Sequence, residues 1–113
     1  MEGFSIQKHE IIFEGFLVRQ ANYLQEWRRQ WCVLTPEYFC SFKSRSDYTN
    51  PTTVIRLDQC LSISSDPASD GPGASFCVTT REQVMWLLAE TPHLRNNWMA
   101  RLGRQLLPCD EFA

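Results

Sequence analysis

Leu94, Trp98, Leu102 and Leu106 recur every four residues near the end of the chain, the one clear helical pattern in it. That spacing gathers apolar side chains on one helix face. Thr91 suits the N-cap, and Pro92 suits the first helical position, where its missing N–H costs nothing. Arg95, Asn96, Arg101 and Arg104 fall off the stripe, and the last two complement the negative end of the helix dipole. A lone amphipathic helix must lay its stripe on something. What precedes it is a succession of short strand-like runs, so the helix closes an antiparallel barrel or sandwich, and folds that alternate strands with helices are disfavoured.

Those runs can be read in order. Ile11 to Gln20 forms the first strand, with Gly15 as a bulge or a point of close approach. Trp27 to Thr35 is the second, rich in aromatic and β-branched residues, and Pro36-Glu37 turns the chain into Tyr38 to Ser44, the third. Thr52 to Leu57 and Cys60 to Ser64 follow as the fourth and fifth. Ser65 to Ala74 holds two Pro and two Gly and is read as a loop. Ser75 to Thr80 and Gln83 to Glu90 are the sixth and seventh. The last of these also has helical character, and the short turn before it favours a strand. Leu17, Val33, Leu34, Ile55, Leu57, Phe76, Leu87, Trp98 and Leu102 are the expected core. Residues 1–10 are expected to be a flexible lead-in, 11–107 the domain and 108–113 a tail.

A chain of 113 residues holds one domain with one core. Its four Trp, seven Phe and three Tyr argue against disorder. No apolar run approaches the roughly 20 residues of a spanning helix, and the start MEGFSIQKHE lacks the pattern of a secretion signal. A net charge of −2 disfavours nucleic acid as a partner. The stretch from Arg19 to Arg45 nevertheless carries five basic residues (Arg19, Arg28, Arg29, Lys43, Arg45) against Glu26 and Glu37, on a chain otherwise acidic. Five Cys, with no Cys-x-x-Cys pair and no His at ligand spacing, fit neither structural zinc nor a disulfide framework. They fit small hydrophobes in a reducing, cytosolic setting. His9 and His93 have no nucleophile or acid at interpretable spacing, and Gly71-Pro72-Gly73 lacks the Lys and helix of a phosphate loop. No catalytic residue, metal or cofactor is expected.

The segments EGFLVRQ, WRRQWCVL, FCSFKS and VIRLDQC, followed by a helix with Trp98, resemble the pleckstrin-homology family over about Ile11 to Leu107. The family's first strand reads Gly-x-Leu-x-Lys/Arg, here Gly15, Leu17 and Arg19. Its second opens Trp-Lys/Arg-x-Arg, here Trp27, Arg28 and, in place of the last Arg, Gln30. The resemblance implies a mostly β fold: a seven-stranded antiparallel barrel of two orthogonal sheets capped by one C-terminal α-helix. It also implies a non-catalytic module of a signalling or trafficking protein, reversibly peripheral at membranes, that binds phosphoinositide headgroups between strands one and two.

A hairpin brings Arg19 and Arg28 together, and guanidinium forks meet phosphate oxygens bidentately. Arg28 and Gln30 share a strand face, while Arg29 points the other way to an outer anion site or to solvent. Lys43 continues the face of Ser41, where strong binders often carry Tyr. Tyr23 and Leu24 are the candidate membrane-contact residues. With Gln30 and Ser41 at positions that favour cation and aromatic, weak recognition of phosphoinositide or acidic membrane is expected. The alternative is a protein–protein or autoregulatory module whose lipid site is degenerate. Trp98, Leu17, Leu34 and Leu102 serve the core under either reading.

Overall fold

The computed structural model describes residues 4–20, 27–45, 48–70 and 74–106, with 66–70 described through their backbone. Seven strands appear: β1 (Phe13–Gln20), β2 (Trp27–Leu34), β3 (Tyr38–Phe42), β4 (Pro51–Arg56), β5 (Cys60–Asp70), β6 (Ala74–Thr80) and β7 (Val84–Ala89). One helix, α1 (Pro92–Leu106), follows. All neighbours are antiparallel, in the order β4-β3-β2-β1-β7-β6-β5. β1 is the shared element. It pairs with β2 along its whole length and with β7 at Val18↔Leu88 and Arg19↔Leu87. The helix rests on β5, β6, β7 and the 3-10 turn Leu57–Gln59.

Pleating sorts the side chains. Leu17, Cys32, Leu34, Phe39, Ile55, Phe76, Val78, Met85, Leu87 and Ala89 point inward with Trp98 and Leu102 of α1 to form the main core. Trp98 is the key of that core, with its indole edge-to-face on Phe13 at 4.7 Å and on Phe39 at 5.7 Å. α1 begins as its sequence dictates, with the Leu94 N–H donating to Thr91 Oγ1 at 3.1 Å.

Four expectations need correction. Gly15 is no bulge: it keeps regular register with Cys32, and a Cβ there would meet the Trp98 ring at 3.8 Å, an ordinary contact. The Ser65–Ala74 loop is largely strand, because β5 runs on to Asp70 and β6 starts at Ala74. Pro67 is tolerated there since β5 is an edge strand and its missing N–H need not serve a ladder. Arg95, placed off the apolar stripe, is buried, with its Nε donating to Asn96 Oδ1 at 3.1 Å. The lead-in also packs from Phe4 onward. Ile6 is buried with Trp31, Val33, Cys40 and Phe42 in a second cluster on the outer face of β1–β3, and its N–H donates to the Tyr48 carbonyl at 3.3 Å.

Candidate functional site

Phe13, at the start of β1, lies under Trp98, and Arg19 sits six residues further on, roughly 20 Å along the strand. The helix therefore seals one end of the barrel and Arg19 stands at the other. There β1 and β2 bring Arg19 and Arg28 into direct cross-strand register, on the same face as the next pair, Leu17 and Gln30. Like charges directly opposite one another destabilise a sheet.

Arg19 is half-buried, and its Nε is out of solvent with no hydrogen-bond partner. Burial lowers its pKa from the usual arginine value, opposed by the field of the neighbouring Cys32. Cys32 supplies no counter-charge at neutral pH: its complete burial pushes the thiol up to about 12. Arg28 is exposed on the rim.

Below the arginines lies a neutral polar wall. Cross-strand pairing runs Ser41↔Thr53 and then Phe42↔Pro51, which leaves Thr52 as the extra residue of a β-bulge. A bulge re-aims a side chain, and here the Thr52 hydroxyl donates to Gln30 Oε1. It lies 2.8 Å from Ser41 Oγ and 3.1 Å from the Ser41 carbonyl. Gln30 and Ser41 are both buried, at 8% and 4% exposure, so this wall is satisfied and fixed.

The remaining candidate residues divide. Lys43 follows the end of β3, is exposed, and is separated from β1 by β2. Arg29 is turned to the outer face, where its guanidinium covers the Phe16 ring at 3.8 Å. It borders an apolar groove of about 410 Å³ with Val18, Leu88 and Glu90. Tyr23 and Leu24 lie outside the described residues. The bulged Thr52 is the site residue that sequence reasoning missed, since only a shift in pairing register reveals it.

The family model described as PH domain matches residues 11–106. The chain belongs to the PH domain family. A PH domain-containing protein of Dictyostelium discoideum is 32% identical over 94 residues, covering 82% of this chain and 20% of that protein. Pleckstrin homology domain-containing protein 1 of Arabidopsis thaliana is 24% identical, covering 82% of this chain and 67% of that protein. This PH domain thus spans a fifth of the first relative's length and two thirds of the second's.

Among solved structures, the Slm1-PH domain in complex with phosphoserine matches with a TM-score of 0.72 at 22% identity, covering 83% of this chain and 93% of that one. The C-terminal PH domain of pleckstrin in complex with D-myo-Ins(1,2,3,5,6)P5 matches at 0.71 and 23%, covering 86% and 96%. At these identities the likeness is one of fold: a seven-stranded antiparallel sheet closed by a C-terminal helix. Among the described residues no helix of this PH domain is long and apolar enough to cross a membrane.

Proposed function

We propose that this PH domain is a non-catalytic targeting module that recognises phosphoinositide on an acidic membrane surface, weakly, through the barrel mouth. Arg19 and Arg28 take the phosphate, Gln30 lines the pocket beneath them, and Lys43 adds attraction from the rim. The observation that carries the reading is the Arg19 guanidinium, half-buried with an unpartnered Nε and directly opposite a second arginine. Anion-bound structures of PH-fold neighbours support the chemistry. Each basic group near an acidic membrane contributes roughly 1 kcal/mol. Two or three of them give reversible peripheral attachment in a cytoplasmic setting and serve a larger signalling or trafficking protein by avidity.

Vesicle co-sedimentation tests this. Pelleting should require phosphoinositide, fall steeply from about 0.05 M to about 0.3 M salt, and drop about fivefold in Arg28→Ala. Pelleting indifferent to Arg28, or none at low salt, removes the lipid reading. A second reading, in which the barrel binds a protein partner and the mouth is vestigial, is favoured by the satisfied Gln30–Thr52–Ser41 wall that replaces an expected cation.

A further inference from the structure

The pleat that turns Arg19 and Arg28 inward turns their neighbours outward. Gln20 ends β1 beside Trp27, which opens β2, and the two are register partners on the outer side of the same rim. Arg19 pairs with Leu87 of β7, and Trp86 is the residue before Leu87. Trp27 thus pairs with Gln20, and Trp86 faces outward one residue beyond the last β1–β7 pair, at the same end of β1. Both are left in water, at 45% and 38% exposure, and Val84, two residues before Trp86 on the same face, is 47% exposed. The other two of the chain's four Trp are spent inside: Trp98 is 2% exposed, and Trp31 is 8% exposed with its Nε1 donating to Glu14 at 3.0 Å.

Two half-exposed indoles on one rim are a large apolar area to leave unpartnered. The charge beside them indicates what covers it. Among the described residues at this end of β1 and β2, Arg19, Arg28 and Arg29 lie within two residues of Gln20 and Trp27, so the surround is basic on a chain whose net charge is −2. Indole with guanidinium is the combination that settles at the headgroup level of an anionic bilayer, where the ring is half in hydrocarbon and its N–H stays hydrated. We infer that Trp27 and Trp86 are the membrane-entering residues of this domain, gripping the surface of an anionic bilayer on the outside of the rim whose inner side holds the phosphate. The inference rests on the membrane reading above and adds a second, headgroup-independent contact to it.

Because Trp31 and Trp98 are shielded from solvent and from acyl-chain quenchers, a change in tryptophan emission on vesicle binding reports on the two rim indoles. The experiment compares vesicles of phosphatidylcholine with phosphatidylserine, with and without phosphoinositide, and with or without dibrominated acyl chains. Emission should shift to the blue and be quenched by the brominated chains on both kinds of vesicle, more so with phosphoinositide. Trp27→Ala with Trp86→Ala should lose the quenching and weaken partitioning about tenfold per indole, while retaining the preference for phosphoinositide over phosphatidylserine alone. Because both side chains are exposed, a folded double variant is expected, and the wild-type quenching is an independent readout in any case. Phosphoinositide-dependent pelleting without bromine quenching overturns this inference and leaves the phosphate site standing. Quenching that persists in Arg28→Ala supports the indole contact even where the phosphate site fails. Absence of vesicle binding altogether overturns both and points to a protein surface.

Discussion

Gln30→Arg examines the logic of the mouth most directly. Gln30 is 8% exposed, faces Leu17 across the hairpin, and accepts the Thr52 hydroxyl. Substitution removes that hydrogen bond, at about 1 kcal/mol. It also sets a third guanidinium diagonal to Arg19, about 7 Å away by strand geometry. At an effective dielectric of about 20 that repulsion is about 2 kcal/mol, with less from the exposed Arg28. The empty domain should therefore lose about 3 kcal/mol, which for a chain this size lowers Tm by on the order of 15 °C. An anion reverses the sign of the change. With inositol hexakisphosphate the wild type should gain little in Tm, and the variant should gain more, because each tenfold rise in affinity adds about 1.4 kcal/mol at saturating ligand. Differential scanning fluorimetry with and without the ligand reads both effects. A variant as stable as wild type and no more responsive to ligand would refute the placement of Gln30 on the wall of an anion site.

Two further outcomes follow from the same geometry. Arg19→Met replaces an unsatisfied, half-buried guanidinium by an apolar chain of similar length, so urea stability should rise by about 1 kcal/mol while phosphoinositide-dependent pelleting is lost; a fall in stability would show that Arg19 is there for packing. The Cys32 thiol, pushed up to about 12 by burial, is neutral in the fold but ionises near pH 8.5 once unfolded, so its contribution to stability is complete below pH 8.5 and is lost as pH rises towards 12. The urea midpoint should accordingly be lower at about pH 10 than at about pH 7.5, and an equal fall in Cys32→Ala would remove the attribution to this group.

The fold was legible because its signals are local. Alternation marks each strand, Thr91-Pro92 marks the helix start, and the Leu94–Trp98–Leu102 stripe says what the helix covers. The parity of Arg19, Arg28, Gln30 and Arg29 was legible for the same reason, and the structure keeps it. What sequence hid depends on pairing. Thr52 enters the site only because β4 slips one residue against β3, and no residue type announces that slip. Lys43 shares the parity of Ser41 in the sequence, and the structure places it exposed, one residue past the end of β3 at Phe42. β5 crosses Pro67 because an edge strand has a free side, which cannot be known before the strand order is. Phe4 and Ile6 looked like apolar residues in a frayed lead-in, and only the outer face of β1–β3 supplies the surface they cover.

The mouth is an energetic exception in a sheet otherwise arranged for stability. Two arginines stand directly opposite each other, one with a buried donor unmet, over a thiol that carries no charge. Apolar or oppositely charged pairs at these positions would serve the barrel better. On the proposed reading an anion bound at the mouth offsets that cost, and binding to the folded state stabilises it by mass action. Yet the wall beneath is neutral and already satisfied, so the recovery through charge is small. Attachment strong enough to matter must then draw on apolar area as well. The two indoles exposed on the outer side of the same rim hold such area, and under the proposed reading they let a weak phosphate contact suffice for membrane attachment.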